Sequence, residues 1–303
     1  MTPTRRRAAL YAALCVLVLA LSGLAWTASS GNGRPDGEEA TEAGAGPKGG
    51  SGSPTQQADT QRPSGARALV TNPLYSTGRL SPLPCPAPDL EVDDPGSMER
   101  FLTTVADCLD DTWSAQFAKA GISFEPPGRG FWTEPGTSPC RDYPSSAGAF
   151  YCRTDQTVYI GTADVAEKWG GEENSAVYAS LLAHEYAHHV QGEAGLLEYY
   201  HEQRRREDDP AEQSAWTRKS ELQANCLSGA FLGAVEVSYP LDDADREAVL
   251  EDAAATADEE DAPPGERTHG NPDNSRLWLH TGMEKQAPGA CNTWAVSNDE
   301  LLR

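Results

Sequence analysis

The 303-residue chain reads as an α+β protein with more helix than strand. Three observations point there. Apolar residues recur every third or fourth position between Gly96 and Gly121. A strand-like run follows at Gln156 to Gly161, and a second helical pattern covers Asn174 to Gln191. The first and third have the period of a helix packed on one side, and the second has β-branched and aromatic composition. Together they make a helix-rich α+β chain.

In chain order, the first element is not part of that fold. Arg5, Arg6 and Arg7 precede an apolar run from Ala8 to Trp26. As a helix this run reaches roughly 28 Å, close to the hydrocarbon thickness of a bilayer. The arginines are expected on the cytoplasmic side and the following chain outside. Residues 1–30 are thus a signal peptide or a signal anchor. The small residues Thr27, Ala28 and Ser29 suit cleavage, whereas the length of the run favours a retained anchor at residues 8–26. Cys15 lies inside the run, where a buried thiol is the simple reading.

From Gly31 to Ala66 there is no Val, Ile, Leu, Met, Phe, Tyr, Trp or Cys. Such a stretch has nothing to bury against its ordering entropy, so residues 31–68 are expected to be a disordered linker. Residues 69–303 form the folded domain. The net charge of -22 disfavours nucleic acid, whose phosphates would repel it, so no nucleic-acid partner is expected, and it argues against a protein lying flat on anionic lipid. Membrane contact is therefore expected through the N-terminal segment only.

Pro82, Pro84, Pro86 and Pro88 make an extended lead into the domain. The first helix carries Phe101, Leu102, Val105, Leu109, Trp113 and Phe117 on one face, and Gly121 is placed to end it. A Gly- and Pro-rich stretch with short strands follows, including Phe150-Tyr151-Cys152. Beyond the helix at 174–191, further helices are expected over Pro210 to Val235 and Asp242 to Ala257. Asp258 to Pro264 is an acidic turn. Outside the apolar run there are six cysteines, an even number that suits disulfides beyond the cytoplasm. The nearest-neighbour pairing is Cys85–Cys108, Cys140–Cys152 and Cys226–Cys291.

The chemistry concentrates at His184-Glu185-Tyr186-Ala187-His188, an HExxH pattern inside a helix. Residues four apart are one turn apart on one face, so both imidazoles can share a zinc ion (Zn2+). Glu185 projects beside the metal, where it can take a proton from water and pass it to a leaving amine. His189 lies about 100° further round and is not a ligand; packing or surface hydrogen bonding is its simple role. A catalytic zinc takes a third protein ligand and keeps an open position. Glu221, in Ser220-Glu221-Leu222-Gln223-Ala224-Asn225-Cys226, is the candidate. Asn225 follows it by one turn and can accept a hydrogen bond from the outer nitrogen of a ligand histidine. Without HExxH, Glu221 alone would read as a solvated helix face. His201 and His280 have no motif around them and are expected at the surface. Tyr199 and Tyr200 read as half-buried or exposed helix residues.

The residues HEYAHHVQ at His184 to Gln191, ELQANC at Glu221 to Cys226, and THG at Thr268 to Gly270 with Trp278 and Gly282 beyond it resemble a bacterial family of neutral zinc metallopeptidases. These are zincins whose third ligand is a glutamate. The resemblance extends over about residues 97–283 and includes the helix with Trp113 and Phe117 and the run from Tyr151 to Gly161. It implies a zincin-like metallopeptidase domain with zinc on His184, His188 and Glu221, and a peptide or protein substrate. It also implies an edge strand that lines up the substrate, matched here by Thr157 to Gly161. His269 falls in the THG motif, where it can hydrogen-bond a developing oxyanion or serve as a turn residue held by Thr268 and Gly270. The family pattern has aspartate where this chain has Asn225, so the acceptor is kept and its charge is lost. The expected function is an extracytoplasmic zinc-dependent peptidase. The alternative is a catalytically silent zinc-binding surface module.

Overall fold

The computed structural model describes residues 62–144 and 148–303. The expected membrane segment at residues 8–26, and most of the expected linker, lie outside the described residues. Among the described residues no helix is long and apolar enough to cross a membrane.

The described part of the expected linker is packed rather than loose, which corrects that boundary. Arg62 forms an ion pair with the buried Glu193 at 2.8 Å, and helix α1 (Ala66–Val70) buries Ala68 and Leu69. Asn72 then donates to the carbonyls of Ala68 at 2.9 Å and Ala194 at 2.8 Å, tying this segment to the core. The low hydrophobicity of the stretch hid this docking, which rests on one ion pair and backbone acceptors.

Helix α2 (Pro95–Ala120) begins where the Asp94 side chain accepts the Gly96 N–H at 2.9 Å and Pro95 presets the first turn. It ends at Gly121, whose φ of 67° is the left-handed conformation a glycine takes without a Cβ clash. Its buried face, from Met98 through Phe101, Val105 and Leu109 to Trp113 and Phe117, has the expected spacing.

Three strands form a small mixed sheet: β1 (Gly128–Trp132), β4 (Ala149–Cys152) and β5 (Thr157–Gly161), in the order β1-β5-β4. β1 runs parallel to β5 and β4 antiparallel to it. The expected edge strand, Thr157 to Gly161, is therefore the central strand, and β1 and β4 carry the edges. Pairing order is not written in a strand's own composition, and Val158 and Ile160 suit a buried central strand equally well. Strands β2 (Gly136–Thr137) and β3 (Asp142–Tyr143) form a separate hairpin.

The remaining helices are α3 (Thr162–Lys168), α4 (Ser175–Glu193), α5 (Leu196–Arg204), α6 (Pro210–Val235), α7 (Asp243–Ala255) and α8 (Pro272–Lys285). α4 is the hub. It lies against α2, α5, α6, α7, β4 and β5, so its residues are buried nearly all round. α6 and α8 pack closely because glycines meet backbone there: a Cβ on Gly229 would strike the Leu279 carbonyl, and one on Gly282 the Cys226 carbonyl. The three disulfides are Cys85–Cys108, Cys140–Cys152 and Cys226–Cys291. They tie the proline-rich lead to α2, the hairpin to β4, and α6 to the C-terminal segment.

Candidate metal centre

α4 and α6 bring three of the predicted residues together. Nε2 of His184 lies 3.2 Å from Oε2 of Glu221, and Nε2 of His188 lies 3.3 Å from the same oxygen. The three donor atoms all fall within 4.8 Å of one another, and the three side chains are half-buried. His184 and His188 share a face of α4 because they are one turn apart, and Glu221 reaches them from α6.

The other ring nitrogens are already engaged. Nδ1 of His184 is 2.8 Å from Oδ1 of Asn225, and Nδ1 of His188 is 3.0 Å from Oε1 of Gln191. Amide oxygens only accept, so each Nδ1 carries a proton, and each ring turns an Nε2 lone pair toward Glu221 once Nε2 has given up its own proton. Two lone pairs and a carboxylate oxygen facing one point repel one another unless a cation sits among them. That is the donor set of a divalent metal, with nitrogen and oxygen ligands that suit zinc. Burial disfavours protonation of His188, but the Glu221 carboxylate outweighs it and raises the imidazole to about 9. Burial likewise opposes ionisation of Glu221, yet the two histidines hold its carboxyl well below the usual range. Protons and a metal ion therefore compete for the same atoms.

Glu185 sits next to this group, half-buried, and its carboxylate has no hydrogen-bond partner among the described residues. Its lone pairs are free to receive a proton. His189 points elsewhere. It is buried, with Nε2 2.7 Å from the Glu125 carbonyl and Nδ1 3.2 Å from the Tyr151 hydroxyl, so it links α4 to β4.

His269 lies on the loop before α8, with its side chain about half exposed. The loop is fixed by Asp258, whose carboxylate accepts the backbone N–H of Thr268, His269 and Gly270 at 3.0, 2.9 and 2.7 Å. Gly270 packs against Leu222, the neighbour of Glu221. Partial burial lowers the proton affinity of His269, but its contact with Asp258 and the Glu221 charge outweigh this and raise it.

The expectation that His201 sits at the surface is corrected. It is half-buried on α5, its ring 4.3 Å from that of Tyr200, because α5 folds back against α6. His280 is exposed. Tyr200 is buried and donates to Thr217 at 3.1 Å, while Tyr199 is half-buried.

Sequence reasoning missed Gln191 and Asp258. Gln191 follows His188 by three residues, a spacing that puts both on one helix face and could have flagged it. Asp258 sat in an acidic turn, where one carboxylate is indistinguishable from its neighbours until the chain closes around it.

The profile of the family described as "Putative neutral zinc metallopeptidase" matches residues 89–294. The uncharacterized protein YpfJ of Escherichia coli K12 is 29% identical over 208 residues, covering 65% of this chain and 72% of its own. The uncharacterized protein Rv2575 of Mycobacterium tuberculosis is 28% identical over 180 residues, covering 52% of this chain and 59% of its own. No solved structure matches the chain.

Proposed function

The chain belongs to the neutral zinc metallopeptidase family, and from that premise we propose that it hydrolyses peptide bonds at a zinc centre, outside the cytoplasm. The observation that carries this reading is the convergence of His184, His188 and Glu221 with both outer ring nitrogens already bonded.

In this reading, Nε2 of His184, Nε2 of His188 and the Glu221 carboxylate hold the zinc. Zinc there supplies a Lewis acid for the scissile carbonyl and lowers the pKa of a water to about 7. The Glu185 carboxylate takes the proton from the attacking water and returns it to the leaving amine. His269 donates a hydrogen bond to the oxygen on which negative charge develops. An extended peptide can add to a free sheet edge by backbone hydrogen bonds, and β4 is the edge strand bound to the HExxH helix through Tyr151 and His189. The disulfides and the arginine-flanked apolar run support the extracytoplasmic location.

Asn225 favours a second reading, a silent zinc-binding surface module, because an uncharged acceptor raises the basicity of His184 less than a carboxylate would. The variant Glu185→Gln separates the two. Zinc-dependent cleavage of peptide libraries by the wild type, reduced at least about a hundredfold in Glu185→Gln with zinc retained, supports the peptidase. Equal activity in the two proteins, or none in the wild type, contradicts it.

A further inference from the structure

Behind His188 lies a run of buried amides, Gln191 and Gln223, that ends on Trp294, Cys291 and Tyr75. Gln191 uses every hydrogen-bonding position it has. Its Oε1 accepts from His188 Nδ1 at 3.0 Å and from the Ser220 hydroxyl at 3.1 Å. Its Nε2 donates to the Ser220 carbonyl at 2.9 Å and to Oε1 of Gln223 at 3.1 Å. Gln223 is equally saturated. Its Oε1 also accepts from Trp294 Nε1 at 3.1 Å, and its Nε2 donates to the Cys291 carbonyl and the Tyr75 hydroxyl, each at 2.9 Å. Gln191 and Gln223 are 0% and 1% exposed, so water cannot stand in for any of these partners.

The polarity of this run is fixed at its far end. An indole N–H only donates and a backbone carbonyl only accepts. Trp294 and Cys291 therefore set which way the Gln223 amide faces, and Gln223 with the Ser220 carbonyl sets Gln191. An inverted Gln191 would aim an N–H at His188 and push its ring proton onto Nε2, the atom that faces Glu221. The opposite ring is held more simply: Asn225 Oδ1 meets His184, and its Nδ2 has no partner among the described residues.

We propose that Gln223 and Trp294 are positioning residues of the metal centre, which act through Gln191 to hold His188 in the tautomer whose Nε2 lone pair faces the metal. Tyr75 completes the run from a segment upstream of the family match, so the centre draws on residues outside 89–294. The inference rests on the zinc-ligand reading above. Mutation of groups that orient metal-ligating histidines costs about 10–100-fold in metal affinity.

The test is zinc affinity of the full chain by chelator competition, for the wild type, Gln223→Met and the milder Trp294→Phe. The melting temperature of each metal-free protein and the visible spectrum of each cobalt-loaded protein are recorded beside it. The expected result is a loss of about tenfold in Gln223→Met, a smaller loss in Trp294→Phe, and a changed cobalt spectrum. A purely packing role would lower melting temperatures and leave affinity and spectrum alone, which would overturn the proposal. Zinc bound equally tightly by all three proteins would overturn the relay while leaving the ligand set standing. Absence of zinc from the wild type would overturn both.

Discussion

Nδ1 of His184 lies 2.8 Å from Oδ1 of Asn225, across the contact between α4 and α6. The acceptor is in place without the negative charge that a carboxylate would bring. Asn225→Asp is therefore expected to raise the basicity of His184 and tighten zinc binding by up to about tenfold, and Asn225→Leu to weaken it by about 10–100-fold. Chelator competition on both variants measures this, and opposite signs for the two are the specific expectation.

Asp258 gathers three consecutive backbone N–H groups and so shapes the loop that carries His269. Loss of one oxyanion donor costs about 10²–10³ in kcat, so His269→Ala is expected to lose at least about a hundredfold. Asp258→Ala should lose much of the same activity with zinc content unchanged. Amide hydrogen exchange at 268–270 should accelerate in that variant. Fast exchange at these amides in the wild type would contradict the loop's role.

His201 gives a pH dependence. Burial, followed by the charges of Arg153, Arg204 and Arg205, lowers its pKa to about 4 from an unfolded value of about 6.5. Between these values the unfolded chain binds the proton more readily, so stability falls as pH drops from about 6.5 to about 4 and does not fall further below that on this account. The loss is at most about 3.5 kcal/mol. Asp252, which burial raises to about 6 against its bond from Trp169, has the opposite slope between about 6 and 4. Denaturant unfolding of wild type against His201→Gln cancels that contribution, and the variant should show a flatter acid limb. Parallel curves would refute the assignment.

Much of the architecture was legible in the sequence. The one-sided apolar spacing of α2, the glycine after it and the HExxH pattern in α4 are local signals, and the structure follows them. α6 runs from Pro210 to Val235, the range expected from the sequence. β1 was not legible because Gly128 and Gly130 depress strand propensity. It forms because those glycines leave room for the side chains of Thr157 and Tyr159 on the neighbouring strand. α3 and α5 are short, with 7 and 9 residues, and give too few turns for a clear period. At the candidate centre, residues in local motifs were visible. Asp258, Gln223 and Trp294 were not seen in their roles, because these depend on partners far away in the chain.

The most direct measurement is the metal content of the purified full chain beside Glu221→Ala. A three-residue site predicts a single zinc per wild-type chain and a large loss of zinc in the variant. Equal zinc in both proteins would remove Glu221 from the site, and no zinc in either would contradict the metal centre itself.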